Sequence, residues 1–237
     1  FIFEQDAGIP SIALPLVSQF GAPTTGMNYY ITSNDSGITL DSNNLVDGTL
    51  LFLNSETGSD IDADLSLTSL DVIGIANLNG DVLTALNQDY HGAVFVGEHV
   101  LLTGDEVHFD SFVEDTVNGG HDLTIDADVL FTRDVGAINA LRSLDVRGTT
   151  KIDTPGVFGM LIRTTDDQNY EGAVTLCDNT IMRSIGIADD GDGVLRFGST
   201  IDGPFNLTLQ TTDKGLIVFN GDVGSEESLK TLSMSTA

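Results

Sequence analysis

The chain writes nearly the same ten residues twice, and this repetition constrains its fold more than any other feature. Asn87 to Val96 reads NQDYHGAVFV, and Asp167 to Leu176 reads DQNYEGAVTL. The likeness extends beyond the pair. NGGHDLTID from Asn118 answers DGPFNLTLQ from Asp202, FTRDVG from Phe131 answers FNGDVG from Phe219, and LRSLDV from Leu141 answers LKTLSM from Leu229. A third copy of the last block, LTSLDV, starts at Leu67. Four blocks in one order define a repeat unit of about 75–90 residues, present nearly three times, as in proteins built by stacking.

Within a unit, apolar residues alternate over short runs, as in Val94 and Val96, Val107 and Phe109, or Leu123 and Ile125. Each run is bounded by Gly, Asp, Asn or Thr. This is the period-two chemistry of strands separated by turns, and no segment sustains a helical period. The composition agrees. Of 36 acids, 28 are Asp and 8 are Glu, beside 26 Gly and no Trp. Asp favours turns and disfavours helix interiors.

The expected fold is therefore all-β. The first expectation is a right-handed parallel β-helix (β-solenoid) of roughly ten rungs, each unit taking about four rungs of ~20 residues. The alternative is a set of tandem Ig-like or cadherin-like β-sandwiches. The solenoid is preferred because the runs are short, and because the offset between copies drifts in a way that loops between rungs absorb. A sandwich also wants an aromatic anchor, whereas Tyr90 and Tyr170 are read here as standing in polar surroundings at the start of a unit. The organisation expected is an apolar N-terminal cap or assembly arm over residues 1–26, then a solenoid over 27–237 in three degenerate units near 27–85, 86–163 and 164–237.

The residues TTDDQNYEGAVTL, GPFNLTLQ, VFNGDVGSEESLKTLSM and LTSLDV resemble the units of large repetitive bacterial surface proteins of the filamentous haemagglutinin-like adhesin type. The resemblance covers about two thirds of the chain, from Leu65 onward. It implies a right-handed β-helix, secretion, and a role in adhesion or surface structure, and it brings no catalytic residues. The chain departs from that type in its acidity and in the decay of IADDGDGVLRFG within the last unit.

A net charge of −27 excludes nucleic acid and anionic membranes as partners, since phosphate recognition needs Lys and Arg. No stretch approaches the ~20 apolar residues of a spanning helix, so membrane insertion is not expected. Phe1 is not an initiator methionine and no basic leader precedes it, so the chain is expected to begin inside a longer precursor. The expected partners are neighbouring copies or further repeats of the same protein, and host or cell-surface glycans.

Candidate sites are few. Asp60, Asp62 and Asp64 alternate, so a strand would point all three to one side. Asp189, Asp190 and Asp192 lie on a Gly-rich stretch able to wrap oxygens around Ca²⁺. Asp41, Asn43 and Asp47 offer a third acidic turn. Solvated turns are the plain reading of all three and calcium is the sharper one; no cofactor is required. His91, His99, His108 and His121 fall close together but at unlike places in the unit, which speaks against one metal site. Arg163, Arg183 and Arg196 lie near acids in the last unit. The lone Cys177 is expected to be a small buried apolar residue. The functional expectation is a rigid structural or adhesive segment without enzymatic activity, extracellular or at the cell surface. The alternative is a carbohydrate-active β-helix enzyme or carbohydrate-binding module, whose site would break the repeat once, on one face.

Overall fold

In the computed structural model every regular element among the described residues is a β-strand, and every strand pairing is parallel. The structure describes residues 2–5, 11–13, 28–33, 37–40, 50–55, 57–155, 159–186, 193–212 and 214–236. No helix of the described residues is long and apolar enough to cross a membrane. The chain coils into a three-sided β-solenoid of about 9 turns. This settles the choice between stacked rungs and sandwiches, because a sandwich is built from antiparallel strands.

The first face carries β1 (Ile2–Gln5), β3 (Asn28–Ser33), β5 (Leu50–Ser55), β8 (Ser69–Ile73) and β11 (Gln88–Tyr90). It continues through the second halves of β13 (Val100–Phe109) and β15 (Asp122–Phe131), then β17 (Thr150–Ile152), β20 (Val174–Leu176) and β23 (Ile201–Asp202). The second face carries β7 (Leu65–Leu67), β10 (Val82–Thr84), the first halves of β13 and β15, β16 (Ser143–Val146), β19 (Gln168–Tyr170), β22 (Leu195–Phe197) and β25 (Ile217–Phe219). The third face carries β2 (Ser11–Ala13), β4 (Gly37–Leu40), β6 (Ser59–Ile61), β9 (Ala76–Leu78), β12 (Val94–Val96) and β14 (Val113–Asp115). Bridges through Val135 carry it on to β18 (Met160–Thr164), β21 (Thr180–Ser184), β24 (Asn206–Thr211) and β26 (Thr231–Thr236).

Strands β1 and β2 extend the first and third faces in parallel register, Ile2 on Tyr30 and Ser11 on Gly37. The rest of segment 1–26 lies outside the described residues.

Alternation sorts side chains inward and outward. Strands β6 to β9, for example, bury Ile61, Leu65, Leu67, Leu70, Val72, Ala76 and Leu78 and turn the residues between them outward. The inward residues stack turn over turn into one continuous core. Two aromatic ladders run through it. Tyr90, Phe109 and Phe131 stack on the first face with ring centroids 5.4 Å apart at each step, and Tyr170, Phe197 and Phe219 do the same on the second. Each contact is worth roughly 0.5–1.5 kcal/mol beyond the apolar area it buries.

These ladders correct one expectation. Tyr90 and Tyr170 are fully buried and do not sit in polar surroundings. Their hydroxyls donate to the buried Gln88 and Gln168 at 3.0 Å, so one polar handle is satisfied inside the core. Cys177 departs from expectation too. It follows β20 at a corner, only partly buried, because its place in the alternation is outward after the inward Leu176.

The glycine of the repeated Tyr-x-Gly has a steric cause. A Cβ on Gly92 would lie 1.9 Å from the carbonyl oxygen of Gly74, and one on Gly172 would lie 2.2 Å from that of Gly148. Successive corners pack backbone on backbone, with room for no side chain.

The two faces of these ladders reveal how the sequence repeat relates to the coil. The three copies of the Leu-x-x-Leu block fall on three different faces: β8 on the first, β16 on the second, β26 on the third. On the first face, β8 is followed one turn at a time by β11, β13, β15 and β17, and β16 is the strand immediately before β17. The repeat is thus four turns less one face. Each copy enters the stack rotated by a third of a turn from the one before.

Candidate functional site

Register of the aligned copies identifies equivalent outward positions. On the first face Asp71, Asp89 and His108 stand one above another. Their equivalents on the second face are Asp145, Asn169 and Arg196. The first column is paired internally by charge, while the buried Asp71 Oδ1 and His108 Nε2 make no hydrogen bond among the described residues. His108 Nδ1 lies 2.9 Å from Asp89 and its Nε2 lies 2.9 Å from Glu106, while His91 sits 2.7 Å from Asp110 and 3.4 Å from Asp71. Burial pushes the Asp71 carboxyl up, an effect opposed by His91 and reinforced by Asp89.

The second column is not closed. Asn169 donates its amide to Asp145 at 2.7 Å, and Arg196 makes no hydrogen bond or ion pair among the described residues. The change from Asp89 to Asn169 has removed the counter-ion that would hold the cation. Arg196 faces an open groove of about 490 Å³ on the second face. The groove collects groups from four consecutive turns: Asp122; Arg142, Ser143 and Asp145; Asp166, Asp167 and Asn169; and Arg196.

Its inner wall is held firmly. Arg142 grips Asp122 through two nitrogens, with Nε donating at 2.7 Å, and Ser143 donates to the same carboxylate at 2.7 Å. Burial alone would raise the Asp122 pKa, but the hydrogen bonds from Arg142 and Ser143 outweigh it and hold the carboxyl below its ordinary range. Asp166 goes the other way. Burial and the adjacent Asp167 raise its pKa, with Arg142 only partly offsetting them. One groove thus holds two carboxyl groups shifted in opposite directions, Asp122 by its hydrogen bonds and Asp166 by burial beside Asp167.

The other predicted residues are placed as follows. Asp60 accepts from the Asn77 amide at 2.6 Å, Asp62 from the Asn79 amide at 2.6 Å, and Asp64 from the Asp81 backbone N–H at 3.0 Å, each one turn on. Asp189, Asp190 and Asp192 lie outside the described residues, as do Asp41, Asn43 and Asp47. No group of three or more His, Cys, Asp or Glu side chains is arranged to hold a metal among the described residues. The histidines split between two places: His91 and His108 lie on the first-face acids, while His99 and His121 meet edge to face 5.8 Å apart beside Asp122 and Asp115. Arg163 and Arg183 stack on the third face, where Arg163 donates to the carbonyl of Ile138 at 2.8 Å. Only Arg196 of the three arginines reaches the groove.

Three buried acids escaped sequence reasoning. Asp115 accepts from the N–H groups of Val117, Gly120 and His121 and from the His121 ring, all at 2.8–2.9 Å. Glu114 receives the N–H groups of Ile138 and Asn139. Asp202 receives those of Glu226 and Glu227. Glu114 and Asp202 are equivalent in the repeat, and each clamps the loop after a repeated Asp-Val-Gly. These are structural carboxylates. For Glu114 and Asp202 the signal available was that each precedes such a loop by about one turn.

Protein-family models, curated proteins and solved structures were compared with the chain, and none matches. Function therefore rests on the geometry.

Proposed function

We propose that the chain is a structural or adhesive segment of an extracellular bacterial surface or fibre-forming protein of the filamentous haemagglutinin-like kind. It would act as a rigid repetitive scaffold that associates with neighbouring copies. One observation carries this reading. Between the twin stretches the shared residues are those of the core and the corner: Gln88 and Gln168, Tyr90 and Tyr170, Gly92 and Gly172, Val94 and Val174. The marked differences, Asp89 to Asn169, His91 to Glu171 and Phe95 to Thr175, all point outward. Repetition has been kept for stacking while the surface diverged, which is the pattern of a scaffold.

A second reading, a carbohydrate-active or carbohydrate-binding β-helix, is favoured by the second-face groove alone. Calcium at the acidic turns is likewise a proposal, motivated by the spacing of Asp60, Asp62 and Asp64 and of Asp189, Asp190 and Asp192.

Analytical ultracentrifugation and polysaccharide assays separate the two readings. The scaffold reading expects an elongated particle that associates with itself as concentration rises and releases no reducing or unsaturated sugar ends. A particle that stays monomeric at every concentration and cleaves polysaccharide overturns it.

A further inference from the structure

We infer that the second-face groove binds a neutral saccharide chain lying along the solenoid axis, with Arg196 donating to its hydroxyls and Asp166 and Asp167 accepting from them.

The argument begins with where the two copies differ. At the groove stand Arg142, Asp166, Asp167, Asn169 and Arg196 where the preceding copy of each block has Thr68, Leu86, Asn87, Asp89 and His108. Five departures converge on one face, around one concavity, while the core beneath them keeps the repeat.

The groups left over after internal pairing define the ligand. Asp122 is satisfied by Arg142 and Ser143, and Asp145 by Asn169, with Arg147 3.5 Å away. Asp167 gives one oxygen to the Val194 N–H at 2.8 Å and, among the described residues, keeps the other. Among the described residues Arg196 spends none of its donor fork. Unspent donors and acceptors side by side match hydroxyl groups, each of which can donate to a carboxyl and accept from a guanidinium.

Charge selects among saccharides. The groove counts four carboxyl groups against two guanidinium groups, on a chain of net charge −27, so uronate or sulfated chains are repelled. Length fits as well: turns follow one another at roughly 4.8 Å, close to one sugar ring, so successive rings meet successive turns.

This inference deepens the carbohydrate-binding reading of the same groove and rests on it; it stands apart from the scaffold reading, because an elongated, self-associating particle is unaffected by loss of saccharide binding. The test is a glycan array of neutral, amino, uronic and sulfated saccharides, followed by calorimetry with the best neutral hexasaccharide. Binding to neutral chains is expected, about tenfold or more weaker in Arg196→Ala, where a charged hydrogen bond is lost. Asn169→Asp, which restores the first copy's residue beside Arg196, is expected to weaken it too, and His108→Ala on the first face to leave it unchanged. Matching melting curves verify that the variants fold. Absence of array binding, binding indifferent to both groove variants, or preference for uronic or sulfated chains overturns the inference.

Discussion

At the level of single residues, the pair Gln168 and Tyr170 shows how a polar group survives inside a stack of strands. The Gln168 amide donates to the carbonyls of Ile162 at 3.3 Å and Arg183 at 3.0 Å and to the Thr164 hydroxyl at 3.3 Å. Its oxygen is left for the Tyr170 hydroxyl, and burial holds that hydroxyl protonated far above the usual tyrosine range. Gln88 and Tyr90 repeat the arrangement with Val82, Thr84 and Thr103. Tyr170→Phe keeps the ring stack and strands the Gln168 oxygen. A loss of roughly 1–3 kcal/mol is expected in chemical denaturation, the ordinary consequence of an orphaned buried acceptor. Adding Gln168→Leu should return part of it, and an additive double mutant would mean that the bond contributes nothing. The alternation of Gln88, Tyr90 and then Val94 with the core was present in the sequence. It is obscured because the polar residues around each tyrosine read as polar surroundings, and only the neighbouring turn shows the carbonyls that satisfy the glutamine.

At the level of strands and turns, the aspartates explain themselves as connectors. Corner side-chain oxygens accept backbone N–H groups one turn on: Asp64 from Asp81, Asp81 from Leu101, Asp128 from Thr149, Asp134 from Leu161 and Asp167 from Val194. Corners leave backbone donors without strand partners, and a short carboxylate reaches them. Turn chemistry and strand period were legible in the sequence. The purpose of the acids was not, because an aspartate that ligates calcium and one that receives an N–H look alike in a string of letters. Asp202 separates the roles. Hydrogen bonds from the backbone of Glu226, then of Glu227, lower its pKa against the effect of burial. A depressed folded value means that its stabilisation is present above the unfolded carboxyl pKa, about 3.9, and is lost as pH falls through the lower folded value. Asp202→Asn keeps an acceptor and should flatten that acid limb in pH-dependent melting. Asp202→Ala should lower stability at neutral pH as well. An acid limb identical in wild type and Asp202→Asn would remove the clamp.

At the level of the molecule, the repeat length was readable and its phase was not. Blocks offset by 80 to 88 residues give a period, but no letter states that a period is four turns less one face, since loop lengths between turns vary. The consequence is that outward groups of successive copies point in different directions, so charge is spread around the stack instead of along one stripe. About 9 turns at roughly 4.8 Å make the described stack about 43 Å long, and a net charge of −27 on so small a body opposes its own compaction. Screening should therefore stabilise it. Raising NaCl from 0.1 M toward 1 M shortens the screening length from about 10 Å to about 3 Å and is expected to raise the melting temperature. Calcium separates screening from binding. Asp60, Asp62 and Asp64 each use one oxygen in the ladder, and the second, which makes no hydrogen bond among the described residues, is the one a divalent ion could bridge to a neighbour. If it does, CaCl₂ raises the melting temperature above MgCl₂ at equal ionic strength, because Mg²⁺ gives up its water reluctantly. Asn at all three positions keeps the ladder acceptors and should remove the share of that difference due to this site. Coincident Ca²⁺ and Mg²⁺ curves would leave screening as the whole effect of divalent ions on this chain.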